Sequence, residues 1–131
     1  MRIGIDLGAT KIEYVVLDDN NSEIIRQREI TPNNYKELLE KISHIIKSLT
    51  KKYNQEFNVG ICHPGSMDNK GRIFNTYNLK SIANKKIERD LRSLVKNKIS
   101  SSNFQIKLIW NMSNINSFEF RILESSFIKS I

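Results

Sequence analysis

The first eight residues of the chain alternate strictly in hydropathy. Apolar side chains occupy the odd positions, Met1, Ile3, Ile5 and Leu7. A period of two is typical of a β-strand with one buried face. A second apolar run over residues 12–17 follows directly after Gly8-Ala9-Thr10-Lys11. The pattern therefore predicts a β-hairpin with a turn of small and polar residues.

The same reasoning predicts the elements after the hairpin. Alternating or continuous apolar runs predict strands over 23–30, 56–61, 72–74 and 104–109. Apolar positions at helical spacing predict helices over 34–52, 86–95 and, more weakly, 111–128. The polar segment 97–103, NKISSSN, is predicted to be a loop. The order β-β-β-α-β-α-β-α indicates an α/β fold, in which a mixed sheet carries helices on its faces.

Composition limits the class of protein. The chain has 131 residues, of which 39% are hydrophobic and 27% charged, as in a single globular domain. No apolar run is long enough to span a bilayer, so no membrane association is expected. The single cysteine, Cys62, and an amino terminus that leads straight into a strand favour a reducing cytoplasm. The net charge is +7, but the lysines are scattered, so no nucleic-acid partner is expected.

The turn of the hairpin has the residue types that phosphate binding requires. Gly8 can adopt a backbone conformation closed to other residues, and it lets a ligand approach closely. Thr10 and Lys11 can offer a phosphate a hydroxyl, backbone N–H groups and a positive charge. Asp6 can hold a hydrated Mg²⁺, which takes one or two carboxylates and keeps several waters. The alternative is an ordinary turn between two strands, which needs the same small residues.

A second candidate segment follows the strand over 56–61. Cys62-His63-Pro64-Gly65-Ser66 forms a turn at the carboxyl end of that strand, where α/β sheets bind ligands. The pair Cys62 and His63 invites a metal site, but the sequence offers no second cysteine and no nearby histidine to complete a ligand set. A small buried cysteine followed by a loop histidine is the preferred interpretation.

Four segments, taken in order, resemble the ROK family of actin-like sugar kinases, including its fructokinases and N-acetylglucosamine kinases. The first is the opening MRIGIDLGATKIE, which resembles the family's phosphate hairpin. The second is Thr31-Pro32 followed by Tyr35, and the third is residues 59–66, VGICHPGS, which resembles a Val-Gly-Ile-Gly-Ile-Pro-Gly-Ser segment beside the sugar. The fourth is residues 109–114, IWNMSN, which corresponds to Leu-Ala-Asn-Asp-Ala-Asn.

This resemblance implies an actin-like ATPase fold, related to ribonuclease H, and an ATP-dependent hexose kinase. The cofactors implied are ATP and Mg²⁺, and the partners are ATP and a sugar. By resemblance, nucleotide and phosphate binding falls to Asp6, which would also hold Mg²⁺ through water, and to Gly8, Ala9, Thr10 and Lys11. Sugar binding falls, again by resemblance, to Pro64, Gly65, Ser66 and Asn111.

The sequence departs from the family pattern at several points. The general base of the family is an aspartate, and Met112 stands at that position. A thioether cannot take the proton of the sugar hydroxyl, so no intact catalytic residue is expected. Ala9 replaces the second glycine of the phosphate turn. The sugar-contacting Asn-Gly of the family has only an uncertain counterpart in residues 82–84.

The length of the chain matches one domain of a kinase that has two. Residues 1–131 are therefore expected to form a single amino-terminal domain, inactive alone, without the second domain that closes the cleft over the substrates. Two alternatives stay open: a non-enzymatic remnant or weak nucleotide- or sugar-binding module, and one subunit of a split kinase. The face that a second domain would cover is expected to favour self-association. A DNA-binding repressor of the family is disfavoured, because repressors carry a helix-turn-helix before the hairpin.

Overall fold

The computed structural model describes residues 1–103 of the chain. Strands β1 (Arg2–Leu7), β2 (Lys11–Leu17) and β3 (Glu23–Ile30) come first, and the long helix α1 (Tyr35–Tyr53) follows. The chain continues through β4 (Asn58–His63), β5 (Ser66–Met67), β6 (Ile73–Phe74), a 3-10 turn (Lys80–Ile82), α2 (Ile87–Arg92) and β7 (Lys98–Asn103). The predicted hairpin, third strand and first helix are confirmed.

Five of these strands form one mixed sheet in the order β3-β2-β1-β4-β7. The first three strands pair antiparallel, whereas β4 pairs parallel with β1 and β7 pairs parallel with β4. The odd positions of β1, namely Ile3, Ile5 and Leu7, are buried in the main core. Both helices contribute to that same core. The α/β fold with a mixed sheet is therefore as predicted.

Helix α1 covers this face of the sheet through one apolar stripe. Its buried side chains recur at helical spacing and include Leu38, Ile42, Ile45, Ile46 and Leu49. Asn34 caps the amino terminus, since its side-chain oxygen accepts a hydrogen bond from the Glu37 N–H at 2.9 Å. Asn54 ends the helix in a left-handed conformation, with φ at 49°. Caps at both ends and a continuous stripe explain why this helix is predictable from sequence.

The segment 98–103 is a strand, so the predicted loop over 97–103 is wrong. Ile99 is fully buried, and β7 pairs with β4 along its whole length. Glu88 of α2 accepts hydrogen bonds from the backbone N–H and the hydroxyl of Ser101, both at 3.0 Å. Arg92 donates to the Ile99 carbonyl at 2.8 Å. These contacts from distant residues overcome the weak strand preference of a serine-rich segment.

The other predicted elements either differ from the structure in their bounds or lie outside the described residues. The strand predicted over 56–61 starts and ends two residues later, which places Cys62 and His63 inside β4. The helix predicted over 86–95 is shorter and ends at Arg92. The predicted strand 104–109 and helix 111–128 lie outside the described residues. Within residues 1–103, no helix combines the length and apolar character needed to cross a bilayer.

Candidate functional site

The carboxyl ends of β1 and β4 open into a cavity of about 320 Å³, lined by residues 6–9, 62–64 and 77–79. The two strands are parallel neighbours in the sheet. After β1 the chain continues to β2, on one side of this pair, and after β4 it returns to the sheet at β7, on the other side. Ligands of α/β proteins bind where successive connections diverge in this way. The position of the cavity in the fold makes it the candidate ligand site.

Asp6 gives this cavity a carboxylate that has no partner among residues 1–103. It is half-buried, and no other described residue donates a hydrogen bond to it or forms an ion pair with it. Its neighbour across the β1–β2 pair, Glu13, differs, because Arg26 and Arg28 donate to its two oxygens at 2.8 and 3.0 Å. Glu13 is thus satisfied by the fold, whereas Asp6 is available to a ligand. An unpaired carboxylate fits a hydrated Mg²⁺ ion.

The turn between β1 and β2 requires glycine for reasons of space. The Gly8 N–H donates to the Lys11 carbonyl at 3.0 Å, and a Cβ on Gly8 would lie 2.8 Å from that same oxygen. The φ angle of Gly8 is not positive, so the expectation that an unusual backbone conformation demands glycine here is wrong. Ala9 also has no positive φ, and an alanine is therefore accommodated without backbone strain. Both residues line the cavity.

The other two residues of the predicted phosphate turn are not part of the cavity lining. Thr10 and Lys11 are exposed, and neither lines the cavity. The Thr10 carbonyl accepts a hydrogen bond from the Thr31 N–H at 3.0 Å, and the Thr31 hydroxyl donates to the Gly8 carbonyl at 2.8 Å. The turn is thus braced by the segment that precedes α1, and its exposed tip lies beside the cavity.

The predicted sugar segment is only partly at the cavity. Pro64 lines it, whereas Gly65 and Ser66 lie beyond its wall. Gly65 has φ at 90°, and a Cβ there would lie 2.4 Å from the Phe74 carbonyl. Ser66 pairs with Phe74 in the β5–β6 ribbon. Gly65 is therefore required for the close approach of these two short strands.

His63 ends β4 and is buried, with 2% of its surface exposed, rather than lying in a loop as expected. Its Nδ1 lies 3.0 Å from the Pro64 carbonyl, which can only accept, so Nδ1 carries the proton. The other ring nitrogen, Nε2, is buried and has no hydrogen-bond partner in the part of the chain that the structure describes. Burial lowers the pKa of His63 below its ordinary value, although the bond to Pro64 opposes this shift. The ring is consequently a neutral part of the cavity wall.

Tyr77 and Asn78 line the cavity and were not singled out from sequence. The suggested sugar-contacting counterpart, residues 82–84, does not line the cavity. Ile82 is fully buried, and the Asn84 N–H donates to the Ile73 carbonyl at 2.7 Å, so both serve the fold. The signal that could have found the pair is an aromatic residue flanked by amides, Asn75-Thr76-Tyr77-Asn78, between a strand and a helix.

Two of the predicted site residues follow β7 in the sequence. Asn111 and Met112 lie outside the described residues, so their place relative to the cavity stays a prediction. Among residues 1–103, histidine, cysteine, aspartate and glutamate side chains form no group of three or more suited to a metal ion. A cation at this site would therefore depend on Asp6 together with ligand and water oxygens.

Comparison with known proteins identifies the family. The ROK family pattern matches residues 2–104, which is most of the chain. The chain belongs to the ROK family. An N-acetyl-D-glucosamine kinase of Histophilus somni is 29% identical over 119 residues, covering 87% of this chain. An N-acetyl-D-glucosamine kinase of Pectobacterium atrosepticum is 31% identical over 105 residues, covering 79% of this chain.

Solved ROK structures share the fold. A ROK family glucokinase from Streptomyces griseus, in complex with glucose and AMPPNP, has a TM-score of 0.67 at 21% identity, with 78% of this chain and 32% of that chain covered. The ROK hexokinase from Thermus thermophilus has a TM-score of 0.66 at 22% identity, with 78% and 34% covered. The actin-like ATPase fold implied by the four sequence segments is thus confirmed.

This ROK chain is short beside its relatives. It covers 39% of the Histophilus somni kinase and 34% of the Pectobacterium atrosepticum kinase.

Proposed function

We propose that this chain forms the sugar- and phosphate-binding part of a ROK hexose kinase, an enzyme that transfers the γ-phosphoryl group of ATP to a sugar hydroxyl. The observation that carries the proposal is the cavity between the diverging ends of β1 and β4, with the unpaired Asp6 carboxylate in its wall. Kinase relatives and a neighbour solved with glucose and AMPPNP support it. N-acetyl-D-glucosamine is the first candidate sugar, and fructose is the alternative from the fructokinase-like hairpin.

In this proposal the residues that line the cavity have separate roles in binding. Asp6 would hold hydrated Mg²⁺ beside the phosphates of ATP, where the ion neutralises charge on the transferred group. The turn at Gly8 and Ala9 brings backbone close to those phosphates without a bulky side chain in the way. Pro64 and Asn78, which also line the cavity, would border the sugar. Binding in the cavity would thus place the sugar next to the phosphate turn.

Phosphoryl transfer also needs a base for the sugar hydroxyl and a closed site. Loss of a general base costs about 10²–10⁴-fold in rate, and Met112 stands where the family resemblance places that base. The cleft of a two-domain kinase excludes water when it closes over its substrates. We therefore propose that a second domain, within a longer chain or as a separate subunit, completes the site, and that residues 1–131 alone do not catalyse transfer.

A non-catalytic binding module is the second candidate, and Met112 is the observation that favours it. Such a module would bind sugar or Mg²⁺–ATP in the same cavity without transfer. Binding measurements test the shared part of both proposals, and turnover in the presence of a complementary domain separates them.

The test is a titration of the isotope-labelled chain, followed by backbone amide signals, with Mg²⁺–ATP and with each sugar. We expect signals of Asp6, Gly8 and Pro64 to move. Asp6→Asn should weaken Mg²⁺–ATP binding by about tenfold or more, because a charged partner of the ion is lost. Asp19→Asn is the matched control, since this exposed aspartate pairs with the amino terminus at the other end of the hairpin. Unchanged affinity of Asp6→Asn, or signals that move elsewhere, would contradict the proposal.

A further inference from the structure

Tyr77 occupies a backbone position that disfavours a bulky side chain. Residues 76–79 form a turn closed by a 3.0 Å hydrogen bond from the Leu79 N–H to the Thr76 carbonyl. Tyr77, the first central residue, has φ at 51°, while Asn78 has no positive φ. Turns with a positive φ at the first central position favour glycine, because a side chain there is strained. A tyrosine at this point therefore carries a conformational cost.

Packing on both sides of the turn holds Tyr77 in this strained conformation. Thr76 and Leu79, on either side of the two central residues, are buried, with 6% and 4% of their surfaces exposed. Their packing fixes where the turn begins and ends, so Tyr77 cannot relax without disturbing the core. Residues in such conformations persist when the surrounding structure determines them, and they concentrate at ligand sites.

The Tyr77 side chain gains nothing within the fold that offsets this strain. Its side chain is 76% exposed, and among residues 1–103 its hydroxyl makes no hydrogen bond. Core packing and intramolecular hydrogen bonding thus do not account for an aromatic residue here. Tyr77 does line the cavity, together with Asp6, Ala9 and Pro64. It is thus both a highly exposed residue and part of the candidate site.

We propose that the Tyr77 ring forms the outer wall of the sugar site and stacks on the apolar face of a pyranose. This inference rests on the proposed function and names the sugar-positioning residue of that same cavity. A pyranose with equatorial hydroxyls presents C–H groups on its faces, and an aromatic ring covers such a surface while its hydroxyl stays in water. Small-molecule sites commonly combine an aromatic wall with a few polar groups, here Asp6 and Asn78.

Two substitutions at one position test this inference. Tyr77→Asn removes the ring but suits the left-handed backbone, so the variant should fold as well as the parent. Tyr77→Phe keeps the ring. In the labelled chain, N-acetyl-D-glucosamine should bind Tyr77→Phe as it binds the parent and bind Tyr77→Asn about fivefold more weakly. Ile30→Asn is the control, because Ile30 is an equally exposed apolar side chain, 78% exposed, outside the cavity.

The outcomes separate this inference from the proposed function. Sugar-dependent shifts at Asp6 and Pro64 with equal affinity in Tyr77→Asn would overturn the role of the ring and leave the sugar site standing. A Tyr77→Asn variant that loses Mg²⁺–ATP affinity and keeps sugar affinity would assign the ring to the nucleotide and also overturn the inference. No shift with any sugar would contradict the proposed function itself, and the inference with it. Cross-relaxation between Tyr77 ring protons and sugar C–H protons is the expected direct sign of stacking.

Discussion

Single residues at the ends of β1 and β4 show how closely the site depends on local geometry. Gly8 and Gly65 are both glycines at the candidate site, but for different reasons. Gly8 avoids a collision with the Lys11 carbonyl, whereas Gly65 combines a positive φ with a close approach to the Phe74 carbonyl. His63 adds a buried, neutral ring to the cavity wall. Gly8 and His63 line the cavity, and Gly65 shapes the chain that continues from its wall.

The two glycines with positive φ provide a matched pair. Gly65→Ala should lower the free energy of unfolding by about 3 kcal/mol or more, since strain of about 1–2 kcal/mol adds to the collision with Phe74. Gly71→Ala, at φ of 76° with nothing within 4 Å of the new Cβ, should lose only the strain. Urea denaturation of both variants measures the difference. Equal losses would show that the approach of Phe74 has no energetic consequence.

His63 should make stability depend on pH. In the unfolded chain the ring binds its proton near pH 6.5, whereas burial keeps the folded ring neutral at lower pH. Below pH 6.5 the unfolded state therefore holds more protons than the folded state. As the pH decreases, the free energy of unfolding should fall by up to about 1.4 kcal/mol per pH unit.

Denaturation between pH 5 and 7.5 measures this slope. His63→Ile should abolish it, because isoleucine does not titrate. His44→Gln changes an exposed histidine on α1 and should keep it. A slope that survives in His63→Ile would assign the pH dependence to another group.

At the scale of elements, α1 and β7 represent opposite cases. The helix has its own cap, its own apolar stripe and its own carboxyl-terminal stop, so it forms wherever its sequence can bury that stripe. Strand β7 has one fully buried apolar residue, Ile99, and depends on β4 and on Glu88 and Arg92 of α2. Local patterns therefore determine the helix, and neighbouring elements determine the strand.

The cap of α1 can be tested with adjacent asparagines. Asn34→Ala should lower the free energy of unfolding by about 1 kcal/mol, because the Glu37 N–H loses the side-chain oxygen that it donates to. Asn33→Ala changes an exposed residue one position earlier that makes no capping bond, and it should have an effect below about 0.5 kcal/mol. Thermal or urea denaturation distinguishes the two. A larger loss for Asn33→Ala would place the cap one residue earlier.

At the scale of the whole molecule, one mixed sheet places the hairpin turn, the end of β4 and the Tyr77 turn around one cavity. Ala9 of the hairpin turn and Tyr77 are 68 positions apart along the chain. The parallel pairing of β1 with β4 brings the hairpin turn and the end of β4 together. The ROK fold therefore forms the cavity by its topology, and the binding proposed there follows from that arrangement.

The catalytic proposal leads to a prediction for residues 1–131 tested alone. Residues 1–131 should show no sugar-dependent consumption of ATP above a buffer blank with glucose, mannose, fructose or N-acetyl-D-glucosamine. Met112→Asp, which supplies a carboxylate at the position of the family's base, should not restore it, because the closing domain is still required. A coupled assay for ADP measures both proteins. Turnover by either would show that a second domain matters less than proposed.

Elements that are stabilised by their own residues could be predicted from the amino-acid sequence. The alternation of β1, the repeat and caps of α1 and the small residues of the first turn each follow from side-chain chemistry within a few positions. The order of these elements, with four motifs in family order, was enough to predict the α/β fold and ROK membership. Asp6, Gly8 and Pro64 were likewise found as site candidates because they belong to those motifs.

Features that depend on three-dimensional distances required the folded structure. It made a strand of residues 98–103, buried His63 in the cavity wall and placed Tyr77 and Asn78 at the site in place of residues 82–84. It also showed that the Lys11 carbonyl demands a glycine at position 8, whereas the backbone angle does not. The strand over 98–103, the buried His63 and the place of Tyr77 depend on elements far apart in the chain, and the glycine requirement at position 8 depends on the exact distance between two atoms of one turn. A local pattern of residues records neither kind of distance.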